Sequence, residues 1–253
     1  MDLPNPRQDT LFVASLEKGM RVLEAFGESR PEMSLQQLAA AAGLDKSATQ
    51  RFANTLHRLG YLAKDPVTRR YRPAIKCLEL ANAYLWSEEL LRVAMPKLID
   101  LRQAIGETVN LAILDGDSIV YAVRLPNART SFTASIIGRR IPALNTSSGR
   151  AMLSLSEPSE RRRCVEEWPM RRYTAHTLMD RGAILALVDE AATKGYSIGF
   201  DEIMINEIGL SAAIRGSGRT RAAIQCSLSA THWDTARIER LIIPPLIDTI
   251  NSF

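Results

Sequence analysis

The first 60 residues place their hydrophobic side chains with the period of an α-helix. Apolar residues recur every three or four positions over residues 14–26, 35–42 and 48–59, which predicts three amphipathic helices. Gly43 and Asp45 separate the last two helices. Glycine suits a tight turn, and the Asp45 carboxylate can accept hydrogen bonds from the free amides that open the third helix.

A short basic hairpin follows the third helix. Gly60 opens a strand at Tyr61 and Leu62, and the chain returns through Arg69 and Arg70. Helix, tight turn, helix and hairpin in this order predict a winged helix-turn-helix, a motif whose second helix enters the major groove of DNA.

The predicted recognition helix has an apolar stripe and an opposite polar face. The stripe consists of Ala48, Phe52, Leu56 and Leu59. Four polar side chains are expected near base edges: Ser47, Gln50, Arg51 and Asn54. Five others are expected to contact phosphate: Lys46, Thr49, Arg58, Arg69 and Arg70. His57, late in the helix, is interpreted as a surface residue, with a direct DNA contact as the alternative.

Charge is concentrated in the same segment. The chain contains 32 Lys and Arg against 28 Asp and Glu, a net charge of +4. Seven basic and two acidic residues lie between Asp45 and Arg72, so this segment holds +5 and the remainder −1. Such a block suits phosphate neutralisation and counterion release. A solvated basic face is the alternative interpretation of the charge alone.

Two helical stripes follow Pro73. The first predicts a linker helix over residues 74–87, and the second continues through Leu91, Leu98 and Ile105 with alternating steps of three and four. Two interpretations stay open: both stripes pack on their own domains, or the first also serves dimerisation. A dimer would double the DNA sequence recognised at a palindromic operator.

Strand patterns dominate after residue 108. Strands are predicted at 109–114, 119–125, 131–137, 196–200, 208–214 and 222–228. Helices are predicted at 147–155, 158–167, 182–194 and 234–250, the last bent at Pro244-Pro245. The predicted organisation is a flexible tail (1–10), a winged helix-turn-helix (11–73), a linker helix (74–87) and an α+β effector-binding domain with an antiparallel sheet (88–253).

Other chemistry has little support in the sequence. Cys77, Cys164 and Cys226 lack CxxC spacing, which disfavours disulfides and zinc, and the three histidines have no metal-ligand spacing. No nucleophile motif is present, so no enzyme, metal or cofactor is expected. The N-terminus lacks a signal-peptide pattern and no apolar run reaches bilayer length, which favours a cytoplasmic protein.

Three segments together resemble the IclR family of bacterial transcriptional regulators: AAAAGLDKSATQRFANTLHRLGYLAKD, GRRIPALNTSSGRAML and YTAHTLMDRGAILALVDEAATKGYSIGFDE. The resemblance covers nearly the whole chain. It implies a GAF-like or profilin-like C-terminal domain that binds a small metabolite, and assembly as dimers or tetramers. It also implies repression or activation of genes for the catabolism of carbon sources and aromatic acids.

The residues and the resemblance point to one effector site. Ser147, Ser148 and Gly149 open a predicted helix, so their amides and hydroxyls can seat a carboxylate; simple N-capping is the alternative. The resemblance implies six further wall residues: Thr130, Thr133, Ile141, Gly209, Gln225 and Ser227. Gln225 and Ser227 lie two apart on one strand and therefore face the same side.

Two departures from the family pattern concern the effector. Gly199 and Phe200 stand where many members carry an acidic residue, and Asn206 stands where they usually carry glycine. Phe200 and the two threonines suit a larger or aromatic acid.

These patterns predict a ligand-responsive transcriptional regulator. Its homodimer or homotetramer would bind double-stranded operator DNA, and a small organic acid would shift the population between arrangements of the DNA-binding domains. The alternative is a winged-helix protein-interaction module or sensor-domain protein without operator binding.

Overall fold

The computed structural model describes residues 11–127, 137–215 and 221–253. Its contacts divide the chain into two compact units, Met1–Ser87 and Glu88–Phe253. Thr130, Thr133 and nearly all of the strand predicted at 131–137 lie outside the described residues. Among the described residues, the helices are too short or too polar to traverse a bilayer.

The first unit is a winged helix-turn-helix, as predicted. It contains the elements α1 (Ala14–Glu24), α2 (Leu35–Ala42), α3 (Lys46–Arg58), β1 (Leu62–Lys64), β2 (Tyr71–Pro73) and α4 (Lys76–Ser87). The two strands pair antiparallel as the wing. The core consists of side chains from each element before α4, including Val22, Leu38, Ala53, Leu62 and Tyr71.

Local sequence explains the helix boundaries in this unit. Ser34 and Gln37 form a capping box at the start of α2, and the Asp45 carboxylate accepts from Ala48 N (2.8 Å) at the start of α3. Gly43 ends α2 with φ +62°, a left-handed conformation that favours glycine. The Arg21 guanidinium donates to the carbonyls of Ala42 and Gly43, so α1 fixes the turn between α2 and α3.

The inward face of α3 differs from the predicted stripe. Thr49 and Ala53 are fully buried, whereas Leu59 is 54% exposed. The inward-facing residues of α3 are at positions 49, 52, 53 and 56, whereas the predicted stripe began at position 48. The difference arises because α1 and α2 both pack against this side of α3.

The predicted linker helix, α4, buries none of its residues. Ile75 just before it and Trp86 near its end are 78% and 77% exposed, and Leu78 and Leu85 are also exposed. The interpretation that this stripe packs on its own domain is therefore wrong.

The second unit is α+β with one antiparallel sheet, which confirms the predicted fold class. Its strands are β3 (Thr108–Asp115), β4 (Ser118–Leu125), β5 (Arg140–Pro142), β6 (Ser197–Phe200), β7 (Glu207–Ala213) and β8 (Ala222–Ser229). They lie in the order β5-β4-β3-β8-β7-β6, and every neighbouring pair is antiparallel. The sequence analysis missed β5 and the 3-10 turn Ala143–Asn145 that follows it.

Helices cover the two faces of this sheet with different chemistry. Its other elements are α5 (Glu89–Ile105), α6 (Ser147–Leu153), α7 (Pro158–Glu167), α8 (Arg181–Lys194), α9 (Thr235–Leu241) and α10 (Ile243–Asn251). Helices α5, α9 and α10 form an apolar core with one face, where Leu98, Leu111, Leu210, Ile224 and Leu246 meet. The second predicted helical stripe, on α5, thus packs within its own domain. Helix α6 packs against β7 and β8.

The C-terminal segment is two helices and not one bent helix. Helix α9 ends at Leu241, Ile242 lies between the helices, and α10 begins at Ile243. Pro244 and Pro245 occupy the first turn of α10, where an amide has no helical partner to lose, so they start a helix and do not kink one.

Candidate functional site

Helix α3 presents a polar, cationic surface. Six of the residues predicted to contact DNA are exposed along it: Lys46, Ser47, Gln50, Arg51, Asn54 and Arg58. Its three cations form no ion pair with any residue that the structure describes. The Asp45 cap and the buried Thr49 and Ala53 fix which side of the helix faces outward.

The wing is built on Asp65. One oxygen of its carboxylate accepts from Val67 N (2.9 Å), Thr68 N (2.6 Å) and Thr68 Oγ1 (2.9 Å). The hydrogen bonds from Thr68 are the main cause of the lowered pKa of Asp65. Arg69 lies exposed at the end of this turn with φ +60°, an uncommon conformation for a non-glycine residue.

Three residues near this surface are committed to contacts inside the domain. Thr49 is a correction to the predicted phosphate contacts: it is fully buried and its hydroxyl donates to Asp45 O (2.8 Å). Arg70 pairs with Glu32 (2.9 Å) and donates to its carbonyl (3.0 Å), so its charge is compensated in the free protein. The His57 ring bonds Leu62 O (2.9 Å), which links α3 to β1.

A row of polar side chains crosses four strands of the second unit. Arg124 on β4, Asn110 on β3, Gln225 on β8 and Ser211 on β7 are consecutive register partners. Arg124 Nη1 donates to Asn110 Oδ1 (3.3 Å), and Asn110 Nδ2 donates to Gln225 Oε1 (3.0 Å). We call these four residues the polar row. It lies on the face opposite the apolar core, because strand side chains alternate.

The start of α6 meets the polar row through hydroxyl groups. Ser147 Oγ and Ser148 Oγ lie 2.8 and 3.0 Å from Ser211 Oγ. Thr146 is the N-cap of α6, accepting from Gly149 N (3.0 Å), so neither Ser147 nor Ser148 fills the capping role.

Gly149 has a packing role that the sequence analysis did not predict. Its amide is committed to Thr146, and a Cβ at this position would lie 2.1 Å from the carbonyl oxygen of Ala143. The predicted use of a free Gly149 amide by a ligand is therefore wrong, and glycine is required there by close backbone packing.

The other predicted effector residues have different surroundings. A Cβ at Gly209 would lie 2.9 Å from Ser147 Oγ and 3.0 Å from Gln225 Nε2, so this glycine lets α6 and β8 converge. Ser227 Oγ donates to Glu207 Oε1 (2.6 Å). Ile141 is buried in an apolar cluster that includes Tyr121.

Several residues of this site were missed in the sequence. They are Asn110, Ser211, Tyr121, Arg124 and Glu207. Burial, and secondarily Glu207, raises the pKa of Tyr121, so its hydroxyl stays protonated. A usable signal was present for Asn110 and Ser211, because each is a polar residue flanked on both sides by apolar residues within its strand.

An ion pair anchors α6 from within the domain. Arg150 is fully buried, and its guanidinium bonds both oxygens of Glu202, with Nη1–Oε1 at 3.1 Å and Nη2–Oε2 at 2.7 Å. Glu202 belongs to the loop between β6 and β7. Asp201 and Asn206 both have positive φ in this loop, at +57° and +64°. Asparagine and aspartate tolerate that conformation better than most other non-glycine residues.

Comparison with known protein families matches each of the two units of the chain to a family. The family described as IclR helix-turn-helix domain matches residues 15–66, and that described as Bacterial transcriptional regulator IclR C-terminal matches residues 82–249. Among the described residues, no cluster of His, Cys, Asp and Glu could hold a metal ion.

Curated relatives and solved structures agree with these matches. The p-hydroxybenzoate hydroxylase transcriptional activator of Acinetobacter baylyi is 29% identical over 95% of this chain and 90% of its own. The HTH-type transcriptional regulator KdgR of Escherichia coli K12 is 31% identical over 73% of this chain and 70% of its own. The structure of an IclR homolog from Microbacterium hydrocarbonoxydans, complexed with 4-hydroxybenzoate, has a TM-score of 0.76 at 22% identity and covers 95% of this chain and 100% of that one.

These relatives are transcriptional regulators and not enzymes. The family matches span both units, and the helix-turn-helix match includes α1, α2 and α3. The chain belongs to the IclR family of DNA-binding bacterial transcriptional regulators.

Proposed function

We propose that the protein is a homodimeric or homotetrameric regulator that binds a palindromic operator and responds to a small aromatic acid. The observation that carries this proposal is the exposed cationic face of α3 and the wing. Lys46, Arg51, Arg58 and Arg69 are exposed there and have no carboxylate partner among the described residues. They supply phosphate and base contacts without first breaking internal ion pairs.

The pairing of two chains is supported by apolar surface in the first unit. Helix α4 exposes Leu78, Leu85 and Trp86, and α1 exposes Leu16 and Met20. Exposed large apolar side chains concentrated on two helices favour a protein–protein contact. A second copy that covers these side chains would also supply the second α3 that a palindromic site requires.

The effector is proposed to bind on the sheet face that carries the polar row. Ser147, Ser148 and Ser211 supply hydroxyl groups there, and Arg124 supplies a cation. This chemistry suits a carboxylate. The two relatives whose descriptions name hydroxybenzoate or its hydroxylase favour an aromatic acid and a catabolic operon as the target.

Fluorescence anisotropy with DNA tests operator binding. The probe is the labelled region upstream of the protein's own gene, titrated at two salt concentrations beside an unrelated sequence of equal length. We expect tighter binding to the upstream region and a steep loss of affinity with salt. Arg51→Ala should weaken binding about 10- to 100-fold if Arg51 contacts a base edge.

Arg240→Ala is the matched control, because it removes the same charge from an exposed position of α9, outside the DNA-binding unit. Its operator affinity should equal that of the wild type. Equal affinity of Arg51→Ala and Arg240→Ala would refute the assignment of Arg51. Absence of sequence preference in the wild type would favour the protein-interaction alternative.

A further inference from the structure

Two opposite charges lie on the sheet face that carries the polar row. Arg124 projects from β4, and Glu207 stands at the start of β7, two residues from Gly209 and four from Ser211 on the same side of the strand. Burial lowers the pKa of the Arg124 guanidinium, and the nearby Glu207 opposes that shift. The site therefore offers an anion-binding group and an anion within electrostatic reach of each other.

The hydrogen bonds of Glu207 leave one acceptor unused. Its Oε1 accepts from Ser227 Oγ (2.6 Å), while Oε2 has no hydrogen-bond partner within the part of the chain that the structure describes. Glu207 as a residue is half-buried. Both oxygens of an ionised carboxylate can only accept hydrogen bonds. A ligand that covers one of them without donating a hydrogen bond to it therefore loses binding free energy.

Apart from Ser227, the neighbouring polar side chains bond one another and not Glu207. Gln225 Oε1 accepts from the Asn110 side-chain amide (3.0 Å). Ser147 and Ser148 are bonded to Ser211. A ligand on this face of the sheet would thus find Glu207 Oε2 as an acceptor that none of these side chains occupies.

We propose that Glu207 determines the specificity of the effector site, and that the effector is an aromatic acid bearing a hydroxyl group. The hydroxyl donates to Glu207, and the carboxylate binds on the Arg124 side of the site. The inference rests on the proposed function, since it requires an acid to bind this sheet face.

The proposal explains discrimination between related acids. An unsubstituted acid would bury the free oxygen of Glu207 against an apolar ring, and a second carboxylate beside it would be repelled. A site built to receive a hydroxyl donor rejects analogues that lack one, and for a charged acceptor the loss is on the order of 10- to 100-fold in affinity.

Isothermal titration of the full-length protein with three acids tests the proposal. The probes are 4-hydroxybenzoate, benzoate and 4-fluorobenzoate, in which fluorine fills the position but cannot donate. We expect 4-hydroxybenzoate to bind at least about tenfold more tightly than the other two. In Glu207→Gln the preference should fall below about threefold, because a neutral acceptor gains less from the hydroxyl. Glu239→Gln, on the exposed surface of α9, should keep the wild-type preference.

Each outcome separates this inference from the broader proposal. Equal binding of the three acids by the wild type would overturn the inference and leave acid binding intact. A preference that survives in Glu207→Gln would overturn the role of Glu207. Failure of all three acids to bind a protein that still binds its operator would overturn the inference and the aromatic effector but not DNA binding. The wild-type titrations decide the hydroxyl requirement even if Glu207→Gln does not fold.

Discussion

Removal of the negative charge of Glu202 should destabilise the effector-binding unit strongly. Arg150 is fully buried, and the side chain of Glu202 is 11% exposed. Apart from Glu202, the guanidinium has only long contacts among the described residues, to Leu144 O (3.4 Å), Ser197 Oγ (3.5 Å) and Ile198 O (3.5 Å). Glu202→Gln therefore leaves a desolvated cation with weak neutral acceptors.

The expected loss follows from that geometry. Breaking a buried, hydrogen-bonded ion pair from one side costs about 3–5 kcal/mol, and we expect about 3 kcal/mol here because glutamine retains one acceptor oxygen. With a urea dependence of about 2–3 kcal/mol per molar for a unit of this size, the unfolding midpoint should fall by roughly 1–1.5 M. Trp168 and Trp233 belong to the same unit, and their fluorescence reports its unfolding.

Glu190→Gln is the matched control. Glu190 pairs with Lys194 four residues later on α8, and both side chains are about half exposed, at 48% and 49%. The same substitution there should cost less than about 0.5 kcal/mol, because water screens an exposed pair. Equal midpoints for the two variants would refute the reasoning. Arg150→Met combined with Glu202→Leu should recover much of the loss, since an apolar pair leaves no buried charge.

Two further predictions concern Gly209 and the reactivity of two cysteines. Gly209→Ala should abolish the effect of the acid on operator binding and leave operator affinity without acid unchanged, because the new Cβ would lie 2.9 Å from Ser147 Oγ and 3.0 Å from Gln225 Nε2. Fluorescence anisotropy with and without the acid measures both affinities. An unchanged response to the acid would contradict the prediction. Burial raises the pKa of Cys226 to about 12, whereas Cys77 is half-buried, so iodoacetamide at pH 8 should alkylate Cys77 first in the folded protein. Peptide mass spectrometry over time checks this order, and equal rates at the two thiols would count against it.

The DNA-binding unit was largely predictable because its signals are local. Asp45 caps α3 through an amide three residues away, and Gly43 adopts its left-handed conformation within the turn itself. The error at Thr49 has a different origin. A helix with small residues at Ala48, Thr49 and Ala53 has no strong apolar stripe in that turn, and the packing of α1 and α2 decides which of them is buried.

The effector site was less predictable because it is assembled across strands distant in sequence. Asn110 meets Gln225 only because β3 pairs with β8, and Arg124 joins them only through the register of β4. The sequence analysis found Gln225 and Ser227 by resemblance, and alternation correctly placed them on one face. Alternation cannot say which residue of another strand lies opposite, so Glu207, the bonded partner of Ser227, was not found.

The structure explains the role of Arg150, a residue of the segment GRRIPALNTSSGRAML by which the chain resembles the IclR family. In the sequence it is a basic residue in a run of serines and small residues, and nothing local marks it as buried. The structure places all seven residues of α6 in the interior, which requires the one charge among them to be paired, and Glu202 supplies the partner from a loop 52 residues away. Because Ser147 and Ser148 open the same helix, the ion pair fixes the hydroxyls that meet Ser211. Loss of the pair should therefore disturb the effector site as well as stability, although neither Arg150 nor Glu202 belongs to the polar row.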